Sequence, residues 1–218
     1  MAKKKVTTYT WDMFFKRLQE NIFRPKRQAK DILFRLVFGN DRQALLQLYN
    51  ALHGTAYTNP HELQIVTLDN AIYISRKNDL AFLLAGSINM YEHQSTLNPN
   101  MPVRFLIYLA QEYQLLVEST DRSLYGSELI PLPTPQCVVF YNGTEDTPDE
   151  YKLRLSSAFS NQDVEPAVEV VVKVININYG HNEHLMQGCG LLSQYAQFVV
   201  VTREYANKYD NREEAMNV

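Results

Sequence analysis

The stretch KNDLAFLLAGSINMYEHQS, residues 77–95, constrains the fold more than any other part of the chain. It reads as two apolar strands joined through a tight turn at Ala85, Gly86 and Ser87. Strand side chains alternate between faces, so Glu92 and Gln94 share one face of the second strand. A two-residue loop at Ala85-Gly86 sets Asp79, early on the first strand, opposite Glu92. A loop at Gly86-Ser87 sets it opposite Gln94 instead. In both registers the two carboxylates come to one face, where they repel, and burial raises that cost. A divalent cation bound between them reverses the sign. The competing reading leaves Asp79 solvated at the strand start and Glu92 neutralised by an arginine such as Arg104. A slip of one residue sends Asp79 to the other face and dissolves the site.

Around this hairpin the chain changes period. Trp11, Phe14, Phe15, Leu18 and Ile22 recur at helical spacing up to Pro25. A short second helix is expected near Asp31 to Phe38, with Asp31 as its N-cap and Gly39 as its end. Asn40 is placed to cap a third, from Asp41 to about His53, whose apolar face is Leu45, Leu46, Leu48, Tyr49 and Leu52. Strand patterns begin at LQIVTL and AIYIS and continue through the hairpin. A long helix follows from about Met101 to Val117, then the strand QCVVFYNG, an irregular stretch containing TPDE and LRLSSAF, and the β-branched run AVEVVVKVININ, read as a long buried strand. GHN opens a last helix, roughly Glu183 to Asn207. Later strands are reached through a helix, so part of the pairing is parallel. The expected fold class is α/β, a mixed central sheet with helices on both sides and a helical N-terminal segment. The terminal NREEAMNV has the composition of a helix just beginning, which reads as a truncated or short form.

At 218 residues the chain supports one sizeable core, and 45% apolar with 21% charged residues is ordinary for a folded protein. The reading is a single domain, residues 1–218, with a helical part over 1–55 and a core over 62–207. There is no signal-peptide pattern and no window approaches a membrane span, so no membrane partner is expected. Two cysteines, Cys137 and Cys189, lack metal-ligand spacing. They read as small buried apolar residues of a protein kept in a reducing cytoplasm. The net charge of −3 is unevenly distributed. Residues 1–42 hold eleven Lys or Arg against four acids, or +7, and the remainder holds ten against twenty, or −10. A basic lobe on an acidic body binds phosphates locally whatever the overall charge, although lysine-rich surfaces also serve solubility alone.

The segments KNDLAFLL, MYEHQSTLNPNMPVRFLIYLA, PTPQCVVFYNG, LRLSSAF and NINYGHN, in that order, resemble the recombination-promoting nuclease/putative transposase (Rpn) family of the PD-(D/E)XK nuclease superfamily. DILFRLVFG is a looser match near the N-terminus. The resemblance implies a restriction-endonuclease-like core and a metal-dependent DNA endonuclease linked to recombination or transposition. It implies that Asp79 and Glu92 ligate Mg²⁺ or Mn²⁺, with the backbone carbonyl of His93 as a further ligand. Gln94 stands where many relatives of the superfamily have lysine. A lysine can hold the attacking water and offset transition-state charge, whereas glutamine orients only by hydrogen bonds. Glutamine is usual in this family, so the substitution is compatible with activity and equally with a degenerate enzyme. DNA is the implied partner, and a homodimer is compatible with the resemblance. The alternative is a catalytically inactive DNA-binding or assembly module retaining the fold; a purely protein-binding accessory is a third reading.

Other residues carry two readings each. Arg104, Tyr108 and Gln111 recur at helical spacing after the hairpin. Arg104 suits a scissile phosphate, or it neutralises Glu92 or Glu112; Tyr108 reads as packing. Asp31 reaches the site in one reading and caps its helix in the other. Lys77 approaches a phosphate or is a solvated neighbour, and Asp69 is a rival to Asp79 with less matching context. His181, Glu183 and His184 offer a pair of possible metal ligands without a third, so GHN reads first as a turn and cap. Tyr141, before Asn142-Gly143, reads as a turn anchor. Tyrosines are spread through every predicted element, so packing, not base stacking, is their default role.

Overall fold

The computed structural model describes residues 27–66 and 80–216. The expected first helix, the strand AIYIS, Asp69, Lys77 and Asp79 lie outside the described residues. The first described helix, α1, spans Arg27–Asn40 and buries Leu33, Phe34, Val37 and Phe38, a three-and-four spacing that makes one apolar stripe. It starts earlier and ends later than the sequence suggested. Asp31 is therefore an interior helical residue and not the N-cap, and Gly39 does not end the helix. Helix α2 spans Arg42–His53. Its cap is Asp41, not Asn40: Asp41 Oδ1 accepts from the backbone N–H groups of Gln43 (2.9 Å) and Ala44 (3.1 Å). Gly54, at φ 63°, closes its C-terminus in the left-handed conformation.

Six strands form one mixed sheet in the order β1-β2-β3-β4-β6-β5. They are β1 (Gln64–Ile65), β2 (Leu80–Leu84), β3 (Ser87–Gln94), β4 (Thr134–Tyr141), β5 (Glu150–Arg154) and β6 (Val171–Asn176). The hairpin turn is Ala85-Gly86, both at positive φ (49° and 75°), which suits the right-handed twist of the flanking strands. The resulting register pairs Leu84 with Ser87 and, at the far end, Leu80 with Tyr91. Of the two registers open in the sequence, this is the first. Helix α3 (Met101–Glu118) then carries the chain over, so that β4 lies parallel to β3 and β6 parallel to β4.

The stretch read as irregular contains an element of its own. β5 pairs antiparallel to β6 at the sheet edge, with alternating exposed and half-buried residues and a Lys173–Glu150 ion pair at 2.9 Å. Its charged alternation protects an edge from further pairing and also conceals the strand from a hydrophobicity pattern. β6 is shorter than AVEVVVKVININ implied, six residues in all. The last helix is interrupted: α4 (Glu183–Gly188) stops at Cys189 (φ −132°, ψ 90°), and α5 runs Gly190–Met216. Glycines flank the break, and neither favours helix. Gly188 also sits so close to Ala51 of α2 that an added Cβ would come within 2.8 Å of the alanine methyl.

Helices cover both faces, as expected. On one, Met101, Phe105 and Tyr108 of α3 pack over Ala81, Ile88, Met90, Val139, Val172 and Val174. On the other, α1, α2, α4 and α5 enclose Phe82, Tyr91, Val138, Phe140 and Ile175. The protein is thus an α/β fold around a six-stranded mixed sheet. No described helix is long and apolar enough to cross a membrane.

Candidate functional site

The parallel strands end flush. Gln94, Tyr141 and Asn176 are the last residues of β3, β4 and β6 and stand beside one another in register. Ligands of open α/β sheets bind outside such carboxyl ends. Two residues before this line, Glu92 faces α3 next to Val139, and its side chain is only 2% exposed. A carboxylate held so far from water requires compensation.

Arg104, one turn into α3, supplies it. Its Nη2 donates to Glu92 Oε2 at 2.9 Å, while Nε and Nη2 donate to the Tyr108 hydroxyl at 3.3 and 3.1 Å. Nη1 lies 3.2 Å from Met101 Sδ, so three side chains of the helix and strand fix the guanidinium. Gln94 Nε2, 3.4 Å away, adds a weaker donor to the same Glu92 oxygen. Of the two roles open for Arg104, neutralising Glu92 is therefore formed in the free protein; Tyr108 is both packed and an acceptor for the arginine. A shallow recess beside Gln94 is lined by Thr96, Met101, Tyr141 and Tyr151.

The side chain of His93 points to the opposite face, where it stacks on Phe34 at 5.0 Å between centroids. Tyr195 of α5 accepts from Asn142 Nδ2 (2.9 Å), and its hydroxyl shares a hydrogen bond with His93 Nε2 at 2.8 Å. The backbone N–H of Asn142 also donates to the Gln94 carbonyl at 3.0 Å. These bonds tie the last two residues of β3 to β4 and α5.

The Glu92 carboxylate is a hard oxygen donor, although its Oε2 is held here by the N–H groups of Arg104 and Gln94. A carboxylate of this kind suits Mg²⁺ or Mn²⁺ better than zinc. Among the described residues no three His, Cys, Asp or Glu side chains form a metal-binding group. Of the expected ligands, the structure describes Glu92 and His93; Asp79 and Lys77 are outside the described residues. Asp31 lies on α1, and its side chain is not among those described.

Sequence reading missed a second polar cluster. His181 Nδ1 and Asp149 Oδ1 are 2.6 Å apart, and Asn182 Nδ2 donates to the carbonyls of Asp149 (2.7 Å) and Asn176 (2.8 Å). Asn182 precedes α4 at φ 46° and makes no side-chain cap bond, so GHN is a turn whose asparagine serves the cluster instead. Arg203 of α5 donates through Nη1 to Asn178 Oδ1 at 2.8 Å and through Nη2 to the Asn142 carbonyl. Burial lowers the Arg203 pKa from its usual value. Tyr141 anchors its turn as read: its hydroxyl accepts from the Glu145 N–H at 3.0 Å. The asparagines of YNG and NINYGHN, with His181 and Tyr141, were the sequence signals for this cluster, but none of them pointed to Asp149 or Arg203. No protein-family model, curated protein or solved structure matches this chain.

Proposed function

We propose that this protein is a Mg²⁺- or Mn²⁺-dependent DNA endonuclease with a restriction-endonuclease-like PD-(D/E)XK core, of the Rpn type, acting in the cytoplasm in recombination or transposition. The observation that carries the proposal is Glu92, a buried acid at the carboxyl end of parallel strands, on a hairpin whose register runs through Leu80 and Tyr91. Its premise is one further pair of that register, Asp79 opposite Glu92. Asp79, Glu92 and the His93 carbonyl would hold the cation. When bound, the cation would polarise the scissile phosphate and lower the pKa of a water. Gln94 would orient an attacking water by hydrogen bonding. Arg104 is the positioning group for Glu92 in the free protein and an anion partner for the phosphate once the cation takes over its charge.

The test is nicking of supercoiled plasmid with Mg²⁺ or Mn²⁺ by the wild-type chain, Asp79→Ala and Glu92→Ala. Metal-dependent nicking lost in both variants is expected. Equal nicking by all three proteins, or by none, removes the enzyme. A second reading, an inert DNA-binding or assembly module, is favoured by the Glu92–Arg104 pair itself, which already neutralises the acid at 2.9 Å. It predicts salt-dependent DNA binding without cleavage. Isothermal titration of Mg²⁺ into wild type and Glu92→Ala separates the two directly.

A further inference from the structure

Past the ends of β4 and β6, an open cleft of about 390 Å³ lies between the loop after β4, the turn after β6 and α5. Its size is within the roughly 300–1,000 Å³ of small-molecule sites. Glu145, Asp146, Asn178, Tyr179, His181 and Arg203 line it. Tyr179 is 64% exposed, although most tyrosines of the sheet region are buried. Yet it stands on a tightly held turn: His181 is bonded to Asp149 and Asn182 to two carbonyls, and Asn178 Nδ2 donates to the Gly143 carbonyl (3.1 Å) across the cleft. An aromatic face presented by fixed walls binds a flat partner at little ordering cost.

The wall chemistry narrows the partner. Glu145 and Asp146 accept hydrogen bonds, while Arg203 is already engaged by Asn178 and the Asn142 carbonyl. Two carboxylates make a poor seat for a phosphate, but they suit the exocyclic amine of adenine, cytosine or guanine. Thymine presents only acceptors and its ring N–H, and a paired base keeps its faces stacked. The cleft also adjoins the proposed reaction centre: Arg203 holds the carbonyl of Asn142, whose N–H holds Gln94.

We infer that this cleft receives one unpaired, amine-bearing nucleobase of the DNA substrate, stacked on Tyr179 with its amine toward Glu145 or Asp146. The inference rests on the DNA-endonuclease reading and specifies its substrate: DNA with an unpaired base other than thymine beside the cut.

The test is fluorescence anisotropy of the full chain, in EDTA, with labelled twelve-nucleotide dC, dA and dT strands and a duplex, alongside the plasmid assay. Wild type should bind dC and dA about tenfold tighter than dT or duplex. Tyr179→Ala should lose about tenfold on dC, and Tyr179→Phe should retain wild-type binding. Glu145→Gln with Asp146→Asn should erase the preference over dT. Equal affinity for dC, dT and duplex, no binding of any strand, or an unchanged Tyr179→Ala overturns the subsite. Tyr179-dependent binding without metal-dependent nicking supports the subsite and removes catalysis. Nicking with Tyr179-independent binding does the reverse.

Discussion

Replacing Arg104 with methionine tests whether the guanidinium is what makes a buried acid tolerable on β3. Glu92 is 2% exposed and Arg104 20%, with 2.9 Å between their charged atoms. Removing one partner of an enclosed pair typically costs about 3–5 kcal/mol, because the remaining charge is uncompensated. Gln94 still reaches the same oxygen at 3.4 Å, so a loss near the lower end, about 3 kcal/mol, is expected. Methionine keeps much of the arginine stem, so lost packing contributes little. Glu92→Gln removes the charge while keeping an acceptor for Arg104, and should cost only about 1 kcal/mol. The double variant should then resemble Glu92→Gln, leaving a coupling energy of about 3 kcal/mol. Urea unfolding followed by circular dichroism, at one pH and salt concentration, measures all four proteins. If the cation replaces the guanidinium, Mg²⁺ should raise the midpoint of Arg104→Met and leave Arg104→Met/Glu92→Gln unmoved. A loss below about 1 kcal/mol in Arg104→Met, or strict additivity in the double variant, refutes the reasoning.

Gly143→Ala should destabilise by about 1–3 kcal/mol in the same assay, because the new methyl falls on the buried Tyr141 ring. Ala85→Gly should stabilise by about 0.5–1 kcal/mol, since Ala85 holds φ 49° at a steric cost glycine does not bear. Cys137 and Cys189 should resist a thiol reagent in the native state and react only on unfolding, as both are buried and unpaired. Burial pushes the Cys137 thiol from 9.0 up to about 12. Above pH 9 the unfolded chain therefore releases a proton that the fold retains, and stability falls as pH rises toward 12. Cys137→Ala should flatten that alkaline slope.

The hairpin and α3 were legible because their signals are local. Short apolar runs and a turn dipeptide define the strands, and a helical stripe following Asn100-Met101-Pro102 defines the helix. The choice between two registers was not legible, since Ala85-Gly86 and Gly86-Ser87 both make acceptable turns; only the positive φ at Ala85 decides it. Asp41 outcompeted Asn40 as a cap by one position, where side-chain geometry matters more than residue type. β5 was invisible because EYKLR is charged at the edge and its partner β6 comes later in the chain. At the site, Glu92 and Arg104 are twelve residues apart, close enough for the pairing to be anticipated. The His93–Tyr195 bond spans 102 residues and the Arg203–Asn142 bond 61, and no local pattern encodes such distances.

β3 is the seam of the molecule: antiparallel to β2 on one side and parallel to β4 on the other. The hairpin closes from neighbours in sequence, whereas the β4 side must wait for α3 to fold back, and the Tyr195 bond waits for α5. Late, distant closures of this kind are slow steps in folding. Glu92 and Gln94 thus reach their final surroundings only when both ends of the described chain have docked. A partly folded molecule would carry Glu92 and Gln94 without the strand and helices that enclose them, a consequence of the chain's order of assembly.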